Sequence, residues 1–307
     1  MKRLSKAVRE YLALRRSLGF KLRHETWWLP DFISYLKQHR SSVITTKLAL
    51  RWAQQPPDGN PNWWAKRLGA VRCFAKHHHA FDPRTEVPPT DLIPYRTTRV
   101  TPYIYTNEEV AELMRHAANL PRPLQSATYS TLIGLLAATG MRLGEVIALE
   151  LDHIDVRRSL VTVHSGKFGK SRELPVHETT LQALRSYAMV RDRLRPNRQC
   201  SKFLVSNAGT ELLQQNVGRV FARLKQSTGL LCPDRRVPRI HDLRHSFAVK
   251  TLLDWYRADV DVERRLPWLS TYLGHVSPTT TYWYLTATPE LLALVGKRAE
   301  RAWEVRS

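Results

Sequence analysis

Six residues combine, by type and by order along the chain, into a set able to work on one phosphodiester. They are Arg142 in Thr139-Gly140-Met141-Arg142-Leu143-Gly144-Glu145, Lys167 in Gly166-Lys167-Phe168-Gly169-Lys170, His241 and Arg244 in His241-Asp242-Leu243-Arg244-His245, His275 after Leu273-Gly274, and Tyr284 nine positions further on. An arginine guanidinium binds two non-bridging phosphate oxygens through a planar fork. Histidine and lysine move protons, and a tyrosine oxygen can attack phosphorus and hold it covalently.

His241 and Arg244, three apart on one helix, share a face, while Leu243, Phe247 and Ala248 mark the helix's buried side. His245 is read as structural, pointing away from the site. Glu145, three residues after Arg142, is read as orienting that arginine rather than touching phosphate. Lys167 and Lys170 stand on one turn and compete for one role. Tyr282 and Tyr284 compete likewise, about 200° apart around a helix.

A metal reading is weaker. His241 and His245 are four apart, but the glutamate and third-ligand context of a zinc-protease helix are missing, and the chemistry outlined needs no metal or cofactor. Lys76-His77-His78-His79, near Cys73, fares no better, because consecutive helical residues point about 100° apart. These histidines are read as packing or phosphate contacts.

The elements that must position the six residues are mostly helical. Val8, Tyr11, Leu12 and Leu14 predict one face of a first helix ending near Gly19. A second fits 24–39, a third starts at Thr45 or Thr46, and Asn60-Pro61 caps and opens a fourth. Trp27-Trp28 and Trp63-Trp64 are read as core rather than as stacking platforms for bases. Pro83, Pro88, Pro89 and Pro94 then interrupt any helix, so 82–105 is read as an extended linker. Thr106-Asn107-Glu108-Glu109 is a capping box that opens a second domain. Helices are expected at 106–118, 126–139 and 142–150, then a hairpin of 160–164 and 172–176 around the Lys167 turn. A helix at 178–193, a strand at 203–205 and helices near 212–226, 240–256, 264–273, 278–285 and 289–303 follow. The last of these, apolar through Leu291, Leu292, Leu294, Val295 and Trp303, has no later element to cover it and is expected to seek a groove on a neighbouring protomer.

Composition narrows the partner. The 307 residues suffice for two domains, and a hydrophobic content of 43% argues against disorder. The formal net charge is +21. Residues 1–100 hold 19 of the 48 Lys and Arg but only 7 of the 27 Asp and Glu. Such a field draws polyanions. No apolar run is long enough to span a bilayer, and three scattered cysteines imply neither a disulfide framework nor a zinc pair, so the chain reads as cytoplasmic.

The six residues, in this order and spacing, resemble the tyrosine recombinase (integrase) family, which includes phage integrases and Xer recombinases. The resemblance implies a mainly α fold: an N-terminal helical bundle (core-binding, SAM-like) over 1–81, a linker over 82–105, and a mixed α-helical catalytic domain with a small antiparallel β-sheet over 106–285. A tail helix over 286–307 would dock on another protomer. It also implies site-specific cutting and rejoining of double-stranded DNA through a 3′-phosphotyrosyl intermediate, without metal or ATP. Four protomers would act on paired sites, with sister recombinases or accessory proteins as further partners and no membrane. Arg142 and Arg244 would hold the phosphate, and Lys167, the lysine that aligns, would protonate the leaving 5′ oxygen. His241 would take or relay the tyrosine proton, His275 would approach the phosphate, and Tyr284 would be the nucleophile. The chain looks more like a transposon-borne integrase than one with a separate arm-binding domain. The rival readings are a type IB topoisomerase and a non-catalytic DNA-binding regulator.

Overall fold

The computed structural model describes residues 2–55, 59–95, 101–164, 171–198, 200–230, 237–277, 279–286 and 288–304. The chain divides into two compact units, Met1–Val100 and Thr101–Ser307.

The first unit holds four helices: α1 (Lys2–Ser17), α2 (Glu25–Gln38), α3 (Thr46–Ala53) and α4 (Pro61–His79). Local chemistry sets their ends. The Thr45 hydroxyl accepts the Leu48 N–H at 3.3 Å, and Asn60 accepts the Asn62 N–H at 2.8 Å ahead of Pro61. Leu29, Phe32, Leu36, Leu68 and Phe74 fill the core around Trp52. The Trp52 indole donates to Asp31 at 2.9 Å and lies 5.1 Å from the Phe32 ring, and the Arg67 guanidinium sits 4.0 Å over it. Leu14 faces solvent, unlike Val8, Tyr11 and Leu12. Trp28 and Trp64 pack on the core, but Trp27 is 77% exposed and Trp63 38%, so the core reading fails for these two. The three histidines diverge as helical geometry requires: His77 on Tyr11, His78 stacked on Phe74, and His79 bonded to the Thr85 carbonyl.

The expected linker is in large part stitched to the units on either side. Arg72 donates to the Pro88 and Pro89 carbonyls at 2.7 and 2.6 Å, and the Glu86 N–H reaches the Ile44 carbonyl at 2.9 Å. Ile93 is buried in the first core, whereas Tyr105 is buried in the second. Prolines remove N–H donors, but their carbonyls still accept bonds, which lets this stretch be anchored without being regular.

The second unit begins with α5 (Asn107–Ala118), opened by the expected capping box between Thr106 and Glu109. The apolar α6 (Pro123–Thr139) is its central rod, packed against α5, α8 (Glu178–Leu194) and α10 (Asp242–Arg257). After the short α7 (Leu143–Ala148) comes an antiparallel sheet in the order β1 (Ile154–Asp155), β2 (Leu160–His164), β3 (Ser171–Pro175). The hairpin register runs from Leu160↔Pro175 to His164↔Ser171, with Val161 and Val163 turned inward. The two-residue β1 carries too little periodicity to be seen in the sequence. Residues 203–205 form no strand: Lys202 and Val205 make isolated bridges to Glu150 and Glu211, and Phe203 is a core filler.

Helices α9 (Gln214–Ser227), α11 (Val262–Leu273), α12 (Thr279–Tyr282) and α13 (Pro289–Glu304) complete the unit, with a 3-10 turn at Trp283–Thr286 where one continuous helix was expected. The tail makes contacts within its own unit. In α13, Leu291 is fully buried and Leu294 packs in the same cluster as Val249, Leu253 and Tyr284 of this chain. Glu290 pairs with Arg257 at 2.6 Å, and Arg298 donates to the Val260 carbonyl at 2.7 Å. Leu291 and Leu294 of the tail are thus covered by its own unit, while Leu292 is 47% exposed.

Trp52→Ala should cost about 3–5 kcal/mol of unfolding free energy, the scale for removing a buried indole. Trp27→Ala should stay within about 0.5 kcal/mol. Urea denaturation of the two variants checks both, and a similar loss at each position would contradict the burial difference.

Candidate active site

Two glycines bring the distant segments together. Helix α6 ends at Gly140, in the left-handed conformation at φ +59°, and a Cβ there would lie 2.5 Å from the Phe247 ring and 3.0 Å from Leu273. Helix α11 ends at Gly274, φ +69°, where a Cβ would meet the Arg172 guanidinium at 2.7 Å. Only glycine fits both the dihedral and the approach. The C-terminal ends of α6 and α11 therefore face the first turn of α10.

Both candidate arginines lean on those helix ends. Arg244 is buried and donates to the Gly140 carbonyl at 2.8 Å and the Leu273 carbonyl at 2.7 Å. Burial and the nearby Arg142 lower its pKa to about 10, so it stays charged at neutral pH. Arg142, the residue before α7, donates to the Gly274 carbonyl at 2.9 Å and to Glu145 at 2.8 Å, and its side chain remains 41% exposed. Carbonyls at helix C-termini carry partial negative charge, which suits guanidinium groups held here.

Arg172, on β3, was not singled out in the sequence. It grips Glu145 with two nitrogens, at 2.8 and 3.2 Å, and donates from Nε to the Tyr272 carbonyl at 2.8 Å. Glu145 also accepts the Arg142 backbone N–H at 2.9 Å. Burial alone would raise the pKa of Glu145, but Arg172 and Arg142 together hold it down at about 2. Two guanidiniums thus share one carboxylate while a third, Arg244, rests on helix carbonyls beside them, which leaves a positive site open on the Arg142 side. The signal for Arg172 was weak because an arginine in an edge hairpin usually faces water.

Tyr284 lies in the 3-10 turn and is 2% exposed, whereas Tyr282 is 50% exposed. Burial raises the Tyr284 pKa, and Arg244 and Arg142 pull it back. Its hydroxyl lies 3.1 Å from Nδ1 of His245. That corrects the reading of His245: it does not point away, since one step along α10 from Arg244 turns it toward Trp283 and Tyr284, with ring centroids at 5.5 Å from each. His275 stacks on the other side of Tyr284 at 6.1 Å, its Nδ1 paired with the Thr281 hydroxyl at 2.8 Å. Burial, with Arg244 next, lowers the pKa of His275 to about 4. His241 stands just before α10; the residue as a whole is exposed, yet desolvation of its ring, followed by Arg244, lowers its pKa.

The start of α10 is pinned from below. Buried Asp242 accepts the Arg239 backbone N–H at 2.8 Å and its guanidinium at 3.0 Å. The Ser246 hydroxyl accepts the Tyr105 N–H at 2.7 Å. Lys167 and Lys170 lie outside the described residues. Strands β2 and β3 lead to them, closed by a His164–Ser171 side-chain bond at 2.8 Å. The structure therefore brings Arg142, Arg244, His275 and Tyr284 together, with His241 at the rim.

His241, His245 and His275 do not converge as zinc ligands. Among the described residues only Glu150, Asp152 and His153 do, and Glu150 is held by Lys202 at 2.5 Å.

Because Glu145 is depressed from its ordinary 4.5 to about 2, its stabilising effect is complete above pH 4.5 and is lost as pH falls toward 2. Glu145→Gln should remove that acid-dependent component and cost on the order of 3 kcal/mol at neutral pH, the scale of breaking a buried ion pair. Acid titration of stability for both proteins checks this, and superimposable curves would sink it.

The sequence pattern of the phage integrase family matches residues 104–290. A protein of Sinorhizobium fredii (strain NBRC 101917 / NGR234) described as an integrase/recombinase, y4rB, is 43% identical, with 100% of each chain covered. In solved structures, the Tn1549 transposon integrase in complex with transposon right end DNA aligns at TM-score 0.64, with 16% identity and 96% and 98% of the two chains covered. A lambda integrase tetramer bound to a Holliday junction aligns at TM-score 0.57, with 20% identity and 90% and 76% covered. With its family pattern spanning most of the second unit and a full-length relative at that identity, the chain belongs to the phage integrase family, the tyrosine recombinases.

Proposed function

We propose that this chain is a site-specific DNA recombinase that cuts and rejoins double-stranded DNA through Tyr284. The carrying observation is a buried tyrosine beside Arg244 and Arg142, in a cluster where three guanidiniums have one neighbouring carboxylate. Such a site is short of negative charge, and a phosphodiester supplies it. Arg244 and Arg142 would then turn from helix carbonyls toward the two non-bridging oxygens, and would bind most tightly when the pentacoordinate phosphorus carries extra charge. His275 and His241 hold the phosphate from either side. Tyr284 attacks phosphorus, the 5′ oxygen leaves, and a 3′-phosphotyrosyl bond conserves the energy of the broken linkage. Lys167, in the sequence between β2 and β3, protonates that leaving oxygen.

The basic first unit serves as the other half of the grip on DNA, by charge rather than by residues whose groove contacts can be assigned. The lambda integrase tetramer on a Holliday junction supports an assembly of four protomers on two sites. No helix among the described residues is long and apolar enough to cross a membrane, which fits action on DNA in the cytoplasm.

A nicked suicide duplex built on inverted repeats found beside the gene, selected for binding by the chain, tests the reading. The wild-type chain should accumulate a covalent 3′ adduct, and Tyr284→Phe should form none while binding DNA normally. An adduct that persists in Tyr284→Phe and disappears in Tyr282→Phe would transfer the role. Paired sites should yield recombinant products rather than relaxed circles alone.

Arg142→Ala and Arg244→Ala should each slow cleavage by roughly 3–5 kcal/mol of transition-state stabilisation, with poor rescue by lysine, which lacks the fork. A 5′-bridging phosphorothiolate, whose sulfur leaves without a proton, should restore cleavage to Lys167→Ala. Rescue of Lys170→Ala in its place would reassign the general acid.

A further inference from the structure

Tyr284 cannot attack phosphorus as a neutral phenol without giving up its proton, and burial makes the free phenolate costly. An acceptor must therefore lie within hydrogen-bond reach of the hydroxyl. His241, the candidate by sequence order, stands exposed at the rim, just ahead of α10. His245 is one turn further into the helix, and its Nδ1 is 3.1 Å from the Tyr284 oxygen. Its ring is held by edge contact with Trp283, so its direction is set by packing. His275, the other imidazole on Tyr284, has its Nδ1 engaged by Thr281.

We propose that His245, rather than His241, is the catalytic residue that accepts the Tyr284 hydroxyl proton. This rests on the recombinase reading above. In the step, the O–H proton passes to His245 Nδ1, and the freed oxygen pair forms the bond to phosphorus. The bond from phosphorus to the 5′ oxygen breaks, and that oxygen takes a proton from Lys167. Rejoining runs the same transfers backward, with the imidazolium returning its proton to the tyrosine oxygen.

The electrostatics suit a base that is switched on by substrate. In the free chain, burial, then Arg239, Arg244 and His241, hold the His245 pKa at about 4, with Asp242 opposing them. The ring is therefore neutral and able to accept. A phosphodiester entering against Arg244 and Arg142 adds a negative charge where those groups had left positive charge uncompensated. That raises the basicity of His245 only when the reacting phosphorus is in place.

Single-turnover cleavage of the nicked suicide duplex by the full chain tests the assignment, with DNA affinity and melting temperature as fold controls. His245→Ala should slow adduct formation by about a hundredfold or more, the range for losing a general base. His245→Asn places a carbonyl oxygen near the position of Nδ1. It can hold the tyrosine by a hydrogen bond but cannot take its proton, so it should be as slow as the alanine variant. Difluorotyrosine at position 284, a more acidic nucleophile, should narrow the gap between wild type and His245→Ala. Asparagine restoring the wild-type rate would reduce His245 to a positioning residue and overturn the proposal. So would a narrowed gap for His241→Ala in place of His245→Ala. If the wild-type chain binds this DNA yet forms no adduct, the recombinase reading fails; normal cleavage by folded His245 variants removes only His245.

Discussion

The second unit depends on one largely buried carboxylate. Glu145 is the negative charge around which Arg142 and Arg172 are gathered, and Arg244 is drawn in by the C-terminal carbonyls of α6 and α11. Bringing three guanidiniums into one place without it would leave like charges facing each other at low dielectric. With it, the cluster is held, yet it remains positive enough to want an anion. The same arrangement joins α7, β3, α10 and the α11 terminus, so the electrostatics of the site and the packing of the unit are one problem.

Backbone geometry sets how close these parts come. Gly140 and Gly274 each adopt a left-handed conformation and each leaves no room for a methyl group. Their carbonyls, or the one just before, are the acceptors for Arg142 and Arg244. A side chain at either glycine would displace Phe247 or Arg172 and move both the cation and its acceptor. The rigidity needed to aim a guanidinium at phosphorus thus comes from helix ends, which are stiffer than loops.

The first unit solves a different problem. It carries a dense positive charge yet closes a core around Trp52 by placing the Arg67 guanidinium over the indole and within reach of Asp31. Stacking an arginine on an aromatic face lets a cation line a core with less desolvation than an ammonium would suffer. Basic side chains that stay in water attract a polyanion over a long range, weakened by salt.

Short-range patterns were legible in the residues themselves. The caps at Thr45, Asn60 and Thr106, the hairpin and the helices that surround the site all follow from spacings of a few residues. So does the pairing of Arg142 with Glu145, three apart. The tertiary structure decided what local pattern cannot carry. Arg142 meets a carbonyl 132 positions away and Arg244 one 104 positions away, and Arg172 joins them from a hairpin that resembles a surface element. A 3-10 turn in place of a continuous helix points Tyr284 at His245 and lays the tail over α10 of its own unit. The physical reason is the same in each case. Periodicity says which face of a helix is buried, but the partner it meets depends on how the segments close on one another, and here two glycines and one carboxylate set that closure.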